Sequence, residues 1–225
     1  MRFRSTALTV AAFATAMAYL ESAVVVYLQR ALSISPDRLF PLAGPEIAGN
    51  LAAIEVGREF ATLVMLAGIG CLVGRRWTDR LAWAAVAFGI WDIFYYVWLW
   101  VFIGWPHGPG TWDVLFLIPV PWSGPVAAPI AVSAALVGFG LAAARQAGRE
   151  RGFAVGTTRA ALALIGGAIV VASFVANAPA LLTGGVPGWF PWPLFVAGMA
   201  VAAWAAASVL AARDCETPRN DQNGD

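Results

Sequence analysis

Six stretches of this chain are almost wholly apolar: Thr6–Leu28, Ile47–Val73, Leu81–Ile103, Ser123–Ala144, Ala160–Leu182 and Pro193–Ala212. Each is long enough to cross a bilayer. The hydrocarbon core is roughly 30 Å thick and a helix rises about 1.5 Å per residue, so about 20 apolar residues suffice. Breakers separate the runs. Ser35-Pro36-Asp37 and Ala43-Gly44-Pro45 follow the first, Gly104-Trp105-Pro106-His107-Gly108-Pro109-Gly110 the third, and Gly184-Gly185-Val186-Pro187-Gly188 the fifth. The pattern predicts an all-α membrane bundle of about six transmembrane helices. A single transmembrane domain covers residues 1–212, and residues 213–225 form a cytoplasmic polar tail.

One segment departs from the helical pattern. After Trp112 and Asp113 come Val114-Leu115-Phe116-Leu117-Ile118, and then Pro119, Pro121, Pro125 and Pro129 in quick succession. Interior prolines remove a hydrogen bond and clash with the preceding turn. The spacing predicts a short helix or re-entrant piece on the outer side, feeding a fourth span from about Ser123. Non-helical backbone at that depth needs protein or water against it, so this proline-broken segment is expected to wall a cavity.

Composition sharpens the picture. Hydrophobic residues make up 60% of the chain and charged residues 12%, against about 45–50% and about 25% in soluble domains. Too little polar surface remains to coat a water-soluble globule. The net charge of +1 and the lack of a basic stripe argue against nucleic acid as a partner. The lipid bilayer is the expected one.

Every basic residue is arginine, which with the alanine-rich runs is associated with G+C-rich bacterial genomes. The arginines also give an orientation. With the N-terminus inside, Arg2, Arg4, Arg75, Arg76, Arg80, Arg145, Arg149, Arg151, Arg159, Arg213 and Arg219 are cytoplasmic, and only Arg30 and Arg38 lie outside. Positive loops stay inside. The expected location is therefore a bacterial cytoplasmic (inner) membrane with both termini in the cytoplasm. Trp105, Trp112, Trp122, Trp189 and Trp192 are expected to form an outer interfacial belt.

Arg2 and Arg4 ahead of an apolar run, with Ala16-Met17-Ala18 as a cleavage site, also fit a signal peptide. The run continues through Val24-Val25-Val26-Tyr27-Leu28, longer than a signal core requires, which favours a span. Cys71 and Cys215 fall on the cytoplasmic side without CxxC spacing, so no disulfide is expected.

Ionisable residues interrupt the apolar runs, and each needs a reason to be there. The first span carries Glu21. The second carries Glu55, Arg58, Glu59 and Thr62, whose spacings of three and four place them on one helical face. Asp92, Tyr95 and Tyr96 repeat that geometry in the third span, with Gly89 one turn below. Asp113 heads the proline-rich segment, and Asn177 lies in the outer part of the fifth span. Counted along their helices, these residues fall at overlapping depths.

Two readings follow. Arg58 paired with Glu55 or Glu59, and tyrosine hydroxyls bonded to Asp92, would tie helices together. Yet Glu21, Glu55, Glu59 and Asp92 face one arginine, and a buried carboxylate without a partner protonates or recruits a cation. That excess points to chemistry.

Several chemistries are excluded. His107 is the only histidine, so haem held by paired histidines and histidine-rich zinc or di-iron sites are not available. No other cofactor is evident. Glu55, Glu59 and Asp92 as a set would suit a hard divalent cation such as Mg²⁺, Mn²⁺ or Ca²⁺. Gly68, Gly70 and Gly74 lie within a span with no strand before them, so helix packing explains them better than nucleotide binding. Ser123 and Ser133 have no histidine to activate them. No internal repeat supports an inverted-repeat transporter.

The segments Phe88-Gly89-Ile90-Trp91-Asp92-Ile93-Phe94-Tyr95-Tyr96, Gly104-Trp105-Pro106 and Thr111-Trp112-Asp113 through Trp122 resemble a pattern in an uncharacterised group of bacterial multi-pass membrane proteins. The resemblance implies the class and no particular activity. Three functions stay open. The leading one is proton or cation binding, or transport of a small solute coupled to it. The second is an enzyme acting on a lipid or other membrane substrate, and the third a non-catalytic subunit of a membrane complex. No oligomeric state is implied.

Overall fold

A computed structural model describes residues 3–33, 50–147, 156–182 and 187–211. Within them six helical stretches are long and apolar enough to cross a membrane: Phe3–Ala31, Ala52–Val73, Trp77–Ile103, Ala127–Gln146, Thr157–Leu182 and Trp192–Ala211. The chain is thus an all-α multi-pass bundle. The helices are α1 (Phe3–Ala31), α2 (Asn50–Val73), α3 (Trp77–Ile103), α4 (Ala127–Ala147), α5 (Thr157–Val175), α6 (Ala178–Leu182) and α7 (Trp192–Ala211). The expected start of the second span at Ile47, the polar tail and Cys215 lie outside the described residues, as does the expected end of the last span at Ala212.

The helices group in two sets. The long central α3 packs against α1, α2 and α4, while α5 and α7 pack against each other and α7 meets α4 more sparingly. Small residues set the close approaches. A methyl group at Gly89 would fall 2.5 Å from the Ser133 carbonyl oxygen, and one at Gly166 would fall 2.6 Å from the Ala202 nitrogen. Small residues let membrane helices approach to backbone contact. Gly70 and Gly74 play the same part between α2 and the start of α3, where a methyl at Gly74 would meet the Arg80 nitrogen at 2.5 Å. Van der Waals packing between α1, α2, α3 and α4 centres on Val10, Ala14, Leu66, Val86 and Trp91.

The proline-rich segment is not a short helix. It forms an antiparallel hairpin of β1 (Trp112–Phe116) and β2 (Trp122–Pro125), with Trp112 opposite Pro125, Asp113 opposite Gly124 and Val114 opposite Ser123. A bulge between Val114 and Phe116 shifts the register. The prolines explain the difference. Two strands that pair only with each other leave outer edges, where a residue without an N–H is tolerated. Ser123 to Pro125 therefore belong to β2, and the fourth span starts at Ala127 rather than Ser123.

Beyond the strands, Val126 N–H donates to Thr111 O at 2.8 Å and Ala127 N–H to Pro109 O at 2.9 Å. The hairpin is lodged within the bundle. Trp122 stacks on Phe174 of α5, and Phe116 packs on Phe88 and Trp91 of α3. A methyl at Gly124 would touch Phe174 and Phe190 at 3.0 Å.

Two further expectations change. The fifth span is interrupted at Ala176–Asn177, between α5 and α6, where Pro179 bars a regular hydrogen bond in the next turn. The outer tryptophans do not form one belt. Trp105 is buried beside Tyr96, and Trp112 and Trp122 contact core phenylalanines, leaving Trp189 and Trp192 exposed.

Candidate functional site: a carboxylate cluster beneath the hairpin

Helices α1, α2 and α3 and the hairpin bring most of the intramembrane polar residues together. On one side stands a triad of one arginine and two glutamates. Arg58 of α2 forms an ion pair with Glu21 of α1, and its Nη2 lies 2.7 Å from Glu55 Oε2 one turn away. Arg58 Nε also donates to Glu55 Oε2 at 2.8 Å. The Thr62 hydroxyl donates to Glu21 Oε2 at 3.2 Å. The planar guanidinium suits this work, since it offers several donors in a rigid fork. The arginine takes Glu21 and Glu55 as its partners, and Glu59 turns elsewhere.

The remaining carboxylates meet neutral donors. Glu59 Oε2 accepts from the backbone N–H of Leu117, at the end of the hairpin, at 2.8 Å. Asp92 Oδ2 accepts from the Ser133 hydroxyl of α4 at 2.8 Å. Asp113 Oδ2 accepts from the Tyr96 hydroxyl at 2.9 Å, and its Oδ1 from Val114 N–H at 2.8 Å. Glu59 and Asp92 are each only 7% exposed. Among the described residues none of these three carboxylates forms an ion pair.

Tyr95 lies between the two sets, close enough to Arg58, Asp113, Asp92 and Glu55 to feel their charges. Its carbonyl accepts from Ser22 at 3.0 Å, which ties α1 to α3 at this depth. Asp113 lies outside the spanning helices. Burial pushes its carboxyl up to about 7, against the opposing pull of the Tyr96 and Val114 hydrogen bonds.

The expected tyrosine bond to Asp92 is not made. Tyr96 spans past the short aspartate on its own helix face and meets Asp113 on the hairpin, while Asp92 turns to α4. Asn177 stands apart from this network, donating to Trp189 O at 3.0 Å. Ser133 is the partner that sequence reading undervalued. A hydroxyl inside the otherwise apolar α4 was its signal, and without the α3–α4 register nothing paired it with Asp92. Among the described residues, no three His, Cys, Asp or Glu side chains converge as a metal site would require.

Around Phe116, three buried donors lack a partner among the described residues: the indole N–H groups of Trp91 and Trp122 and the Ser123 hydroxyl. Both indoles pack on Phe116, with ring centroids 6.4 and 5.7 Å away. Buried donors are nearly always satisfied.

Six apolar spans around a polar interior define the class, a multi-pass membrane protein. Compared with known proteins, the chain matches no family, no curated protein and no solved structure.

Proposed function

We propose that this multi-pass membrane protein binds and releases protons at Glu59, Asp92 and Asp113, and couples that exchange to the movement of a small solute. One observation carries the reading. Among the described residues, the arginine of the cluster pairs directly with Glu21 and Glu55, and the hydrogen bonds to the other three carboxylates come from neutral donors. A carboxylate held by a hydroxyl or an amide N–H has no cation bonded to it, and a proton is the smallest ligand that neutralises it. The dispersal of the three over α2, α3 and the hairpin favours protons over one multidentate cation, since a divalent ion gathers several oxygens within a single shell.

The unpaired donors near Phe116 support the solute. A small molecule with acceptor oxygens would satisfy Trp91, Trp122 and Ser123 within a few residues of Asp92 and Asp113. The site would then bind solute beside the groups that exchange protons. The membrane would be a bacterial cytoplasmic one with both termini inside, a reading supported by the arginine distribution. Cysteines placed at positions 108 and 148 check it. Position 108 should label from outside in intact cells and position 148 only after permeabilisation, and the reverse would invert the topology.

Transport is tested with purified protein in liposomes that hold a pH-sensitive dye, under an imposed membrane potential. Wild type should carry protons inward, and Asp92→Asn should not, while melting at or above the wild-type temperature. Flux equal to that of protein-free liposomes, with and without candidate solutes, would refute the proposal.

A further inference from the structure

A second feature lies well away from the carboxylates. Between the α3–α4 pair and the α5–α7 pair runs a groove of about 470 Å³. It extends from mid-bundle to the end where α3 and α5 begin. Its walls are almost wholly apolar, with Ala85, Leu136, Phe139, Met199 and Ala206 among them, and of the described residues that line it Arg159, in the first turn of α5, is the one that is charged. No acidic residue lines it, and Arg159 forms no ion pair among the described residues.

The groove is not a by-product of loose packing. Within each helix pair the fit is close: a methyl at Gly140 would fall 2.8 Å from Val86 Cγ2, and one at Gly166 would fall 2.6 Å from Ala202 N. Gly167, the next residue along α5, faces the groove and is different. A methyl there would meet nothing within 4 Å. Adjacent glycines thus serve opposite ends, one closing a helix contact and one leaving space. The volume lies within the roughly 300–1,000 Å³ typical of ligand sites.

We propose that this groove holds an acyl chain of an anionic glycerophospholipid, with the lipid phosphate paired to Arg159. Charge complementarity selects the occupant. An apolar slot surrounded by lipid takes a hydrocarbon chain without loss of hydration, and a lone arginine at its membrane-surface end selects a phosphate headgroup. Basic pockets between helices on the cytoplasmic side bind anionic headgroups for this reason. Guanidinium and phosphate also match in planar, two-bond geometry. The lipid would bridge the two helix pairs, which meet sparingly through α4 and α7.

The test is native mass spectrometry of the full chain in detergent, with phosphatidylglycerol or phosphatidylcholine added. Wild type should retain phosphatidylglycerol in preference, and glycerol phosphate without tails should not displace it. Arg159→Gln should lower that retention about tenfold, as expected for a lost charge-assisted bond, and Arg159→Lys, which keeps the charge but not the planar fork, should keep part of it. Gly167→Leu, which enters open space and so leaves the fold intact, should lower retention of both lipids. Arg4→Gln, at an exposed arginine on α1, should change nothing. Equal retention of the two lipids by wild type would overturn the proposal. So would unchanged retention in Arg159→Gln or Gly167→Leu, or displacement by glycerol phosphate. None of these outcomes bears on the carboxylates, which share no residue with the groove.

Discussion

The hydroxyl of Tyr96, on a membrane-spanning helix, donates at 2.9 Å to the carboxylate of Asp113 on the β-hairpin. With the Glu59–Leu117 bond at 2.8 Å, it fixes the hairpin over the polar interior from two sides. A proton taken up or lost at either carboxylate therefore changes what holds the hairpin down. That link joins the titration of a side chain to the position of a structural element. Coupled transport requires such a link, because a ligand shifts a conformation only by interacting differently with its two states.

Asp113 gives the pH dependence its sign. Its folded-state value of about 7 stands above the ordinary 3.8, so between these values the folded protein binds more protons than the unfolded chain. Stability then falls as pH rises from about 4 to about 7 and levels off above, by an amount on the order of a few kcal/mol. Asp113→Asn keeps an oxygen for Tyr96 and removes the titration. Melting temperatures measured from about pH 5 to about pH 8 should slope downward in wild type and run flatter in the variant. Equal slopes would show that Asp113 does not carry the effect.

Arg58 should behave as the keystone of the triad. Arg58→Ala leaves the half-buried Glu21 and Glu55 without their cation, where losing one member of a fully buried pair typically costs about 3–5 kcal/mol. Arg58→Lys should recover only part, because an ammonium cannot offer Nε and Nη donors in one plane to two carboxylates. Thermal melts in detergent read both variants. A wild-type melting temperature for Arg58→Ala would mean that water or headgroups, rather than this arginine, solvate the two glutamates.

The spans were legible in the sequence because a bilayer imposes a length and a polarity that few other constraints produce. The polar face of α2 was legible for a related reason, since spacings of three and four repeat on any helix. Partners across helices were not. Whether Arg58 met Glu21, Glu55 or Glu59 depended on how α1 and α2 pack, and Ser133 reached Asp92 because Gly89 lets α4 approach α3 to backbone contact. The hairpin was hidden for another reason. Val114-Leu115-Phe116-Leu117-Ile118 is apolar enough for either a helix or a strand, and only its pairing with the proline-bounded β2 decides.

If Glu59, Asp92 and Asp113 are the proton carriers, infrared difference spectroscopy reads the exchange at the carboxyl groups themselves. Purified protein in lipid should show the carbonyl stretch of a protonated carboxylic acid that fades as pH is raised from about 5 to about 8. Asp92→Asn, Asp113→Asn and Glu59→Gln should each remove one component of that band, while Glu21→Gln and Glu55→Gln, at the arginine-paired positions, leave it in place. A protein with no titrating carboxylic band over this range, or one whose band survives all three of the first substitutions, would contradict the account.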